Sequence, residues 1–345
     1  MTTTAAGAHA EEPRWTPEVA RRTADVLERV RRVVPELEWP LHAPYIDAIR
    51  EWKQTRNAVV LAHNYQTPEI FHGVADITGD SLALAQQAAE TDADVIVLAG
   101  VHFMAETAKI LNPGKTVLVP DLAAGCSLAA SITAADVRLL REQYPGAPVV
   151  SYVNTSAAVK AESDVCCTSA NAVEVVESLR TPRVIFLPDE YLGRYVASQT
   201  KTEVVLWRGH CEVHERFTGA EIAAFRRQHP EIRVLAHPEC PPDVLAASDY
   251  VGSTAGMVKH LDATRPRRVV LVTECSMSDN VAVEFPDTEF IRPCNLCPHM
   301  KRITLPKILS ALQRMEHQVE VEAGVAERAR RAVERMLAVG RGERR

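Results

Sequence analysis

The chain has 345 residues, of which 46% are hydrophobic and 24% are charged, and its formal net charge is −6. These values are typical of a globular protein with the length of about two average domains, and the negative charge provides no basic face for nucleic acid or anionic lipid. The N-terminal residues lack the pattern of a secretory signal, and no apolar run is long enough to span a bilayer, so we expect a cytoplasmic protein without a membrane segment.

An internal repeat organises most of the sequence. Three stretches, which begin at Pro44, Ala134 and Gly219, share an amphipathic helix, a break and a short apolar strand with a polar end. After each of these strands an aspartate is followed five positions later by a hydroxyl residue, in the pairs Asp76 and Ser81, Asp164 and Ser169, and Asp249 and Thr254. A helix and two further apolar strands follow, and every repeat closes on a cysteine.

The closing residues, which we call the repeat cysteines, are Cys126, Cys211 and Cys297, spaced 85 and 86 residues apart. Short apolar strands that alternate with helices are typical of parallel sheets covered by helices on both faces. The sequence therefore predicts an α/β fold of three three-layer αβα units with parallel sheets, related by a pseudo-threefold axis, with the active site at their junction.

The repeat boundaries predict the domain organisation. Residues 1–42 form an N-terminal arm and helix, residues 43–132 form unit 1, residues 133–217 form unit 2, and residues 218–300 form unit 3. Residues 301–345 form a C-terminal helical tail, whose last part has the pattern of an amphipathic helix with a charged, solvated face.

The repeat cysteines can converge on one point if the three units face one another. Three thiolates fit a 4Fe-4S cluster in which one iron lacks a protein ligand, whereas a structural zinc site needs four ligands, and Cys294 has no counterpart in the other units. Burial of each cysteine as a small hydrophobic residue is the alternative. The remaining cysteines are predicted to be structural: Cys166, Cys167, Cys240 and Cys275.

Polar residues follow the first strand of each unit, where ligands of parallel sheets bind. They are His63, Tyr65, Tyr152, Asn154, His237 and Glu239. The hydroxyl residues Ser81, Ser169 and Thr254 are predicted to begin helices, where they cap the helix and leave its amides for an anion. A histidine at a strand end is also common as a purely structural residue.

Eight motifs together resemble quinolinate synthase, the iron-sulfur dehydratase of NAD biosynthesis. In chain order they are "LAHNYQ", "GDSLALA", "DLAAGCSLA", "YVNTSAAVKAESDVCCTSAN", "WRGHCEVH", "LAHPEC", "VGSTAGM" and "CNLCPHM". The resemblance runs from about Leu41 to about Leu309. It implies three α/β domains around a 4Fe-4S cluster, with Cys126, Cys211 and Cys297 at the positions of the family's ligands.

The resemblance also implies a reaction and its residues. The family condenses iminoaspartate with dihydroxyacetone phosphate to quinolinate, phosphate and two waters, which suggests a functional link to an aspartate oxidase. It points to Glu239 and Tyr65 as acid/base residues, with His63 and His237 orienting or polarising the substrate. Together with the chemistry above, it assigns substrate binding to His63, Ser81, Tyr152, Asn154, Ser169, His237, Glu239 and Thr254. His214 is expected to support Cys211 without acting in catalysis.

Two open questions concern the cysteine chemistry. Some family members carry a longer Cys-x-x-Cys-x-x-Cys run, whereas this chain has only Cys294 and Cys297, which are predicted to form a disulfide when the cluster is absent.

An electron carrier or redox sensor is a rival function, although it would not need the polar strand ends. A radical enzyme that uses S-adenosylmethionine would need a Cys-x3-Cys-x2-Cys run, which the sequence lacks.

Overall fold

The computed structural model describes residues 12–293 and 295–340. Within these residues the strands form three four-stranded sheets, and all neighbouring strands in them are parallel. Helices flank each sheet. The α/β fold with three parallel-sheet units that the sequence predicts is therefore confirmed.

All three sheets have one strand order. The first strand of each unit lies between the second and the third, and the fourth pairs with the third. Unit 1 contains β1 Ala58–His63, β2 Ile77–Gly79, β3 Val95–Ala99 and β4 Thr116–Leu118. Unit 2 contains β5 Val149–Tyr152, β6 Val165–Cys167, β7 Arg183–Leu187 and β8 Glu203–Leu206. Unit 3 contains β9 Arg233–Ala236, β10 Tyr250–Val251, β11 Arg268–Val272 and β12 Glu289–Ile291.

The helices connect and cover these strands. In chain order they are α1 Pro17–Arg22, α2 Ala24–Val30, α3 Trp39–Arg56, α4 Pro68–Phe71, α5 Ser81–Glu90, α6 His102–Leu111, α7 Ser127–Ala130, α8 Ala134–Gln143, α9 Ala157–Ala161, α10 Ala172–Ser178, α11 Glu190–Gln199, α12 Gly219–Gln228, α13 Pro242–Ala246, α14 Thr254–Thr264, α15 Cys275–Ala282, α16 Leu305–Arg314 and α17 Ala323–Gly340. In the described parts of the chain, none of them combines the length and the apolar character that a membrane-spanning segment requires.

The helices that open the three units start differently. The α8 and α12 helices begin where the sequence predicts, because Thr133 with Asp136 and Thr218 with Glu221 form capping boxes. The predicted start of α3 at Pro44 is wrong, since α3 begins at Trp39 and continues through the proline. The helix continues through Pro44 because the proline removes only one N–H donor. Burial of Trp39 in the core holds the first turn of the helix in place. The α3 helix is thus continuous across residues 42 and 43, and the predicted domain boundaries stay predictions.

The aspartate of each repeat performs the same structural task in all three units. Its carboxylate accepts a hydrogen bond from a backbone N–H of the first strand and pairs with a basic side chain of the preceding helix. Asp76 bonds to Val60 N and Lys53, Asp164 to Val149 N and Arg141, and Asp249 to Val234 N and Arg226, all at 2.6 to 3.0 Å. These contacts fix the helix and the second strand against the beginning of the first strand.

The structural cysteines and the C-terminal helix pack as the sequence predicts. Cys166 and Cys167 lie in β6 and are fully buried, and Cys240 and Cys275 are buried as well. The α17 helix packs its apolar side against α9, β6 and α6. The basic residues 341–345 that follow it lie outside the described part of the chain.

Replacing Asp164 with Ala is expected to lower the free energy of unfolding by about 1–3 kcal/mol, because the N–H of buried Val149 loses its acceptor. Asp164→Asn is the matched control. It keeps an acceptor oxygen and loses only the half-exposed ion pair with Arg141, so a loss of about 1 kcal/mol or less is expected. Urea denaturation of the two variants measures both values, and equal losses would contradict the role given to the Val149 hydrogen bond.

Candidate functional site

One pocket collects the polar residues at the carboxyl ends of the first strands of all three units. Every residue that the sequence analysis proposes for the site lines this pocket. These residues are His63, Tyr65, Ser81, Cys126, Tyr152, Asn154, Ser169, Cys211, His237, Glu239, Thr254 and Cys297. The structure thus brings them together, while the role of each residue stays a prediction.

The repeat cysteines lie in the wall of this pocket with free thiols. Burial is the main cause that raises the pKa of Cys126 to about 12, and it also raises the pKa of Cys211 and of Cys297. Three such thiols can become thiolates together only when a cation binds to them. The donor set therefore fits a positively charged iron group with three thiolate ligands.

The segments that carry the repeat cysteines are bonded to one another. The Ser127 hydroxyl donates to the carbonyl of His210 at 3.1 Å and accepts from the backbone N–H of Glu212 at 3.1 Å. The Glu212 carboxylate in turn pairs with His299 at 2.9 Å, and the His299 ring lies next to Gly125. These contacts link residues adjacent to all three cysteines, so they hold the three segments together.

Glu239 is the most enclosed charged group in the pocket, with 3% of its surface exposed. Its Oε1 accepts a hydrogen bond from the Tyr152 hydroxyl at 2.5 Å, and its Oε2 lies 2.8 Å from Nδ1 of His214. Burial opposes ionisation of this carboxyl, whereas its contacts with His214 and the Tyr152 hydroxyl favour the ionised form and lower its pKa. Glu239 is therefore ionised at neutral pH and can accept a proton.

A chain of hydrogen bonds connects Glu239 to Tyr65. His214 Nε2 lies 2.9 Å from the Thr273 hydroxyl oxygen, which is 2.7 Å from the Tyr65 hydroxyl. Burial, followed by the nearby Glu239 charge, raises the pKa of Tyr65 well above its ordinary value. Tyr65 therefore keeps its proton at neutral pH and can donate it in a hydrogen bond.

His63 of unit 1 and His237 of unit 3 share one local geometry. The backbone N–H of Tyr65 donates to Nδ1 of His63 at 3.2 Å, and the backbone N–H of Glu239 donates to Nδ1 of His237 at 3.4 Å. Burial lowers the pKa of His63 to about 4 and that of His237 to about 3. Both rings are neutral with the proton on Nε2, and the Nε2 of His237 lies 3.1 Å from the Ser169 hydroxyl.

The predicted helix capping by the three pocket hydroxyls is wrong. Ser81 and Thr254 occupy the first helical position after the cap, and Ser169 lies in a turn three residues before α10. The side chains at the positions before Ser81 and Thr254 accept hydrogen bonds from helix amides, whereas the N-cap residue of α10 makes no such side-chain bond. The N-cap residues are Asp80 for α5, Asn171 for α10 and Ser253 for α14. The predicted hydroxyls are thus not used for capping and remain in the pocket wall.

One buried side-chain atom among the described residues of the pocket lacks a hydrogen-bond partner. The Oδ1 atom of Asn154 is buried and unpaired in the structure. An unpaired buried acceptor is costly, so it indicates a donor that a bound molecule supplies. Among the described residues that line the pocket there is neither Lys nor Arg, although Glu239 and Glu212 contribute negative charge.

The sequence analysis does not include two residues of the hydrogen-bond chain among the site residues, His214 and Thr273. His214 is predicted only as a neighbour of Cys211, which it contacts at 3.1 Å, but it also bonds to Glu239. Thr273 is absent from the prediction, although it directly follows β11, and the carboxyl ends of parallel strands are where ligands bind. Cys294 lies outside the described residues, so its disulfide with Cys297 stays a prediction.

Comparison with known proteins identifies the family. The family model described as "Quinolinate synthetase A protein" matches residues 47–338. "Quinolinate synthase 2" of Mesorhizobium japonicum is 68% identical, with 92% of this chain and 98% of the relative covered. "Quinolinate synthase" of Agrobacterium fabrum is 64% identical, with 95% of this chain and 96% of the relative covered. "Quinolinate synthase" of Caulobacter vibrioides is 57% identical, with 94% of this chain and 89% of the relative covered. The chain therefore belongs to the quinolinate synthetase A family of enzymes.

Proposed function

We propose that the chain is a quinolinate synthase that condenses iminoaspartate with dihydroxyacetone phosphate to quinolinate, phosphate and two waters. The observation that carries this proposal is the single pocket in which three free cysteines, one from each unit, lie together with Glu239 and Tyr65. The family membership supports the product. An enzyme that oxidises aspartate would supply the imine, and a cytoplasmic location stays a prediction.

We further propose that Cys126, Cys211 and Cys297 hold a 4Fe-4S cluster. The elevated thiol pKa values and the absence of Lys and Arg from the described pocket wall both indicate that a cation is needed there. Such a cluster, when bound, supplies an iron without a protein ligand, which is a Lewis acid next to the substrate.

Glu239 is the proposed general base. Both of its oxygens face groups that favour the ionised form, so Glu239 is present as a carboxylate, the form in which it can accept a proton from substrate carbon or nitrogen. Tyr65 is the proposed general acid, because its burial keeps the phenol protonated and Thr273 orients the hydroxyl at 2.7 Å. The reaction needs both functions, since condensation removes a proton from carbon and each dehydration protonates a leaving hydroxyl.

The remaining polar groups are proposed to bind the substrates. Neutral His63 and His237 present Nε2–H donors, which suit carboxylate and carbonyl oxygens. The unpaired Oδ1 of Asn154 is an acceptor for a substrate N–H or O–H group. The hydroxyls of Ser81, Ser169 and Thr254 complete the set, because they line the same pocket and do not cap helices.

Anaerobically reconstituted protein is expected to form quinolinate from the two proposed substrates, as measured by chromatography, and to form none when either is omitted. Glu239→Gln and Tyr65→Phe are expected to reduce turnover at least about 100-fold, because each loses the group that moves a proton. Glu215→Gln, which alters a more exposed carboxyl in the same region, is the matched control and is expected to keep the rate. Near-normal rates in both pocket variants would contradict the assigned roles.

Replacing any one repeat cysteine with Ala is expected to abolish the brown chromophore and most of the bound iron, because each is proposed to ligate one iron. Cys240→Ala and Cys294→Ala are controls that should retain both. Iron and sulfide analysis of anaerobically purified protein makes the measurement. Iron loss in Cys294→Ala equal to that in Cys297→Ala would contradict the three-ligand assignment.

The stability of cluster-free protein is expected to fall below about pH 6.5. His63 is neutral in the folded chain, with a pKa of about 4, whereas the ordinary pKa of histidine in an unfolded chain is about 6.5. Between these two values only the unfolded chain binds the proton, so the free energy of unfolding falls as the pH drops. This histidine alone accounts for a loss of about 2 kcal/mol by pH 5. Urea midpoints at pH 7.5 and pH 5 should therefore differ less in His63→Gln than in the original chain, and an equal difference would show that His63 is not buried in its neutral form.

A further inference from the structure

A cluster of three different donor atoms lies within the pocket. The Sγ of Cys211, a ring nitrogen of His214 and a carboxylate oxygen of Glu239 all lie within 4.8 Å of one another. We propose that these residues form a mononuclear site for a divalent transition metal, Zn²⁺ above all, in the cluster-free protein. This site uses only one of the three repeat cysteines, so it differs from the proposed cluster site in two of its three ligands.

The distances suit a metal ion after a small movement. Nδ1 of His214 lies 3.1 Å from Sγ of Cys211 and 2.8 Å from Oε2 of Glu239. Tetrahedral Zn²⁺ with ordinary bond lengths separates such ligand atoms by about 3.3–3.6 Å. The two His214 contacts therefore need to lengthen by only about half an ångström to admit the ion.

Hydrogen bonds to neighbouring residues orient two of the three proposed ligands, His214 and Glu239. His214 contacts the Thr273 hydroxyl through Nε2, at 2.9 Å, so its Nδ1 is kept pointing at the other two ligands. Glu239 receives the Tyr152 hydroxyl on Oε1, which leaves Oε2 for the metal. Partners of this kind orient metal ligands and strengthen binding in known metal sites.

Charge favours the same conclusion. One thiolate, one carboxylate and a neutral imidazole neutralise a divalent cation, so the complex carries no net charge in a buried place. Glu239 is 3% exposed, and the described pocket wall offers it no Lys or Arg. The mixed sulfur, nitrogen and oxygen donor set suits Zn²⁺ rather than Mg²⁺ or Ca²⁺, and the open pocket leaves a fourth position for water.

The mononuclear site and the cluster both need Cys211, so they exclude each other. The mutual exclusion rests on the proposed cluster. Zinc binding by the cluster-free chain does not depend on that proposal. Zinc bound to Cys211, His214 and Glu239 would therefore block cluster assembly and occupy the proposed general base. The structure contains the residues for two alternative metal states of one pocket.

The first experiment titrates Zn²⁺ into full-length protein that has been stripped of cluster by a chelator, and follows binding by calorimetry. One site is expected. Cys211→Ser, His214→Gln and Glu239→Gln should each weaken binding at least 100-fold, and Tyr152→Phe, which keeps all ligands, should weaken it about 10-fold to 100-fold. Cys126→Ser and Cys297→Ser are the matched controls and should bind Zn²⁺ within threefold of the original chain.

X-ray absorption of the zinc-loaded protein should find one sulfur and two or three nitrogen or oxygen neighbours. Three sulfur neighbours, or an equal loss of affinity in Cys126→Ser and Cys297→Ser, would place the ion on the repeat cysteines and overturn the proposal. Unchanged affinity in both His214→Gln and Glu239→Gln would overturn it as well. Melting temperatures of the metal-free variants verify that each is folded before its affinity is compared.

A second experiment adds iron and sulfide to protein that already holds one equivalent of Zn²⁺. Zinc should prevent formation of the brown chromophore in the original chain but not in His214→Gln, which retains the repeat cysteines and lacks the zinc ligand. Equal inhibition in both proteins would overturn the competition. If zinc-free protein also fails to form a chromophore, the cluster proposal fails, while the zinc titration still decides the mononuclear site independently.

Discussion

Parallel strand pairing is the constraint on which the site depends. In a parallel sheet all carboxyl ends lie at one edge, so the residues after the first, third and fourth strands of a unit emerge close together. Here three sheets with one strand order present these edges to a common pocket. The aspartates at positions 76, 164 and 249 maintain this arrangement, since each joins its first strand to the preceding helix in the same way. A site with one cysteine per unit follows from that repetition.

The pocket is organised around the buried Glu239 carboxylate. Tyr152 and His214 bond its two oxygens, and the bonds continue through Thr273 to Tyr65. A buried anion is stable only with donors or cations around it, and the described pocket wall provides donors but no Lys or Arg. Because the described pocket wall contains no Lys or Arg, the proposed metal centre would supply the positive charge beside the Glu239 carboxylate.

The contacts between the cysteine segments would give the proposed cluster site a preformed shape. Ser127 joins the segments of units 1 and 2, and the contact between the Glu212 carboxylate and the His299 ring joins those of units 2 and 3. Because these bonds exist among protein groups alone, the thiols are held near one another before any metal binds. Metal binding then costs less conformational ordering than it would in a set of independent loops.

The sequence by itself determined the repeat, the parallel sheets and many of the residues that line the pocket. Strand periodicity and equal cysteine spacing depend only on local pattern and chain length, so His63, Tyr65, His237, Glu239 and the repeat cysteines were predictable. Contacts between units decide the rest. The bond of His214 to Glu239 joins residues 25 positions apart, and Thr273 meets Tyr65 across 208 positions, which no local pattern encodes. The capping of α5 and α14 by Asp80 and Ser253 was also decided in the folded chain, because one residue's shift along the backbone determines which side chain reaches the helix amides.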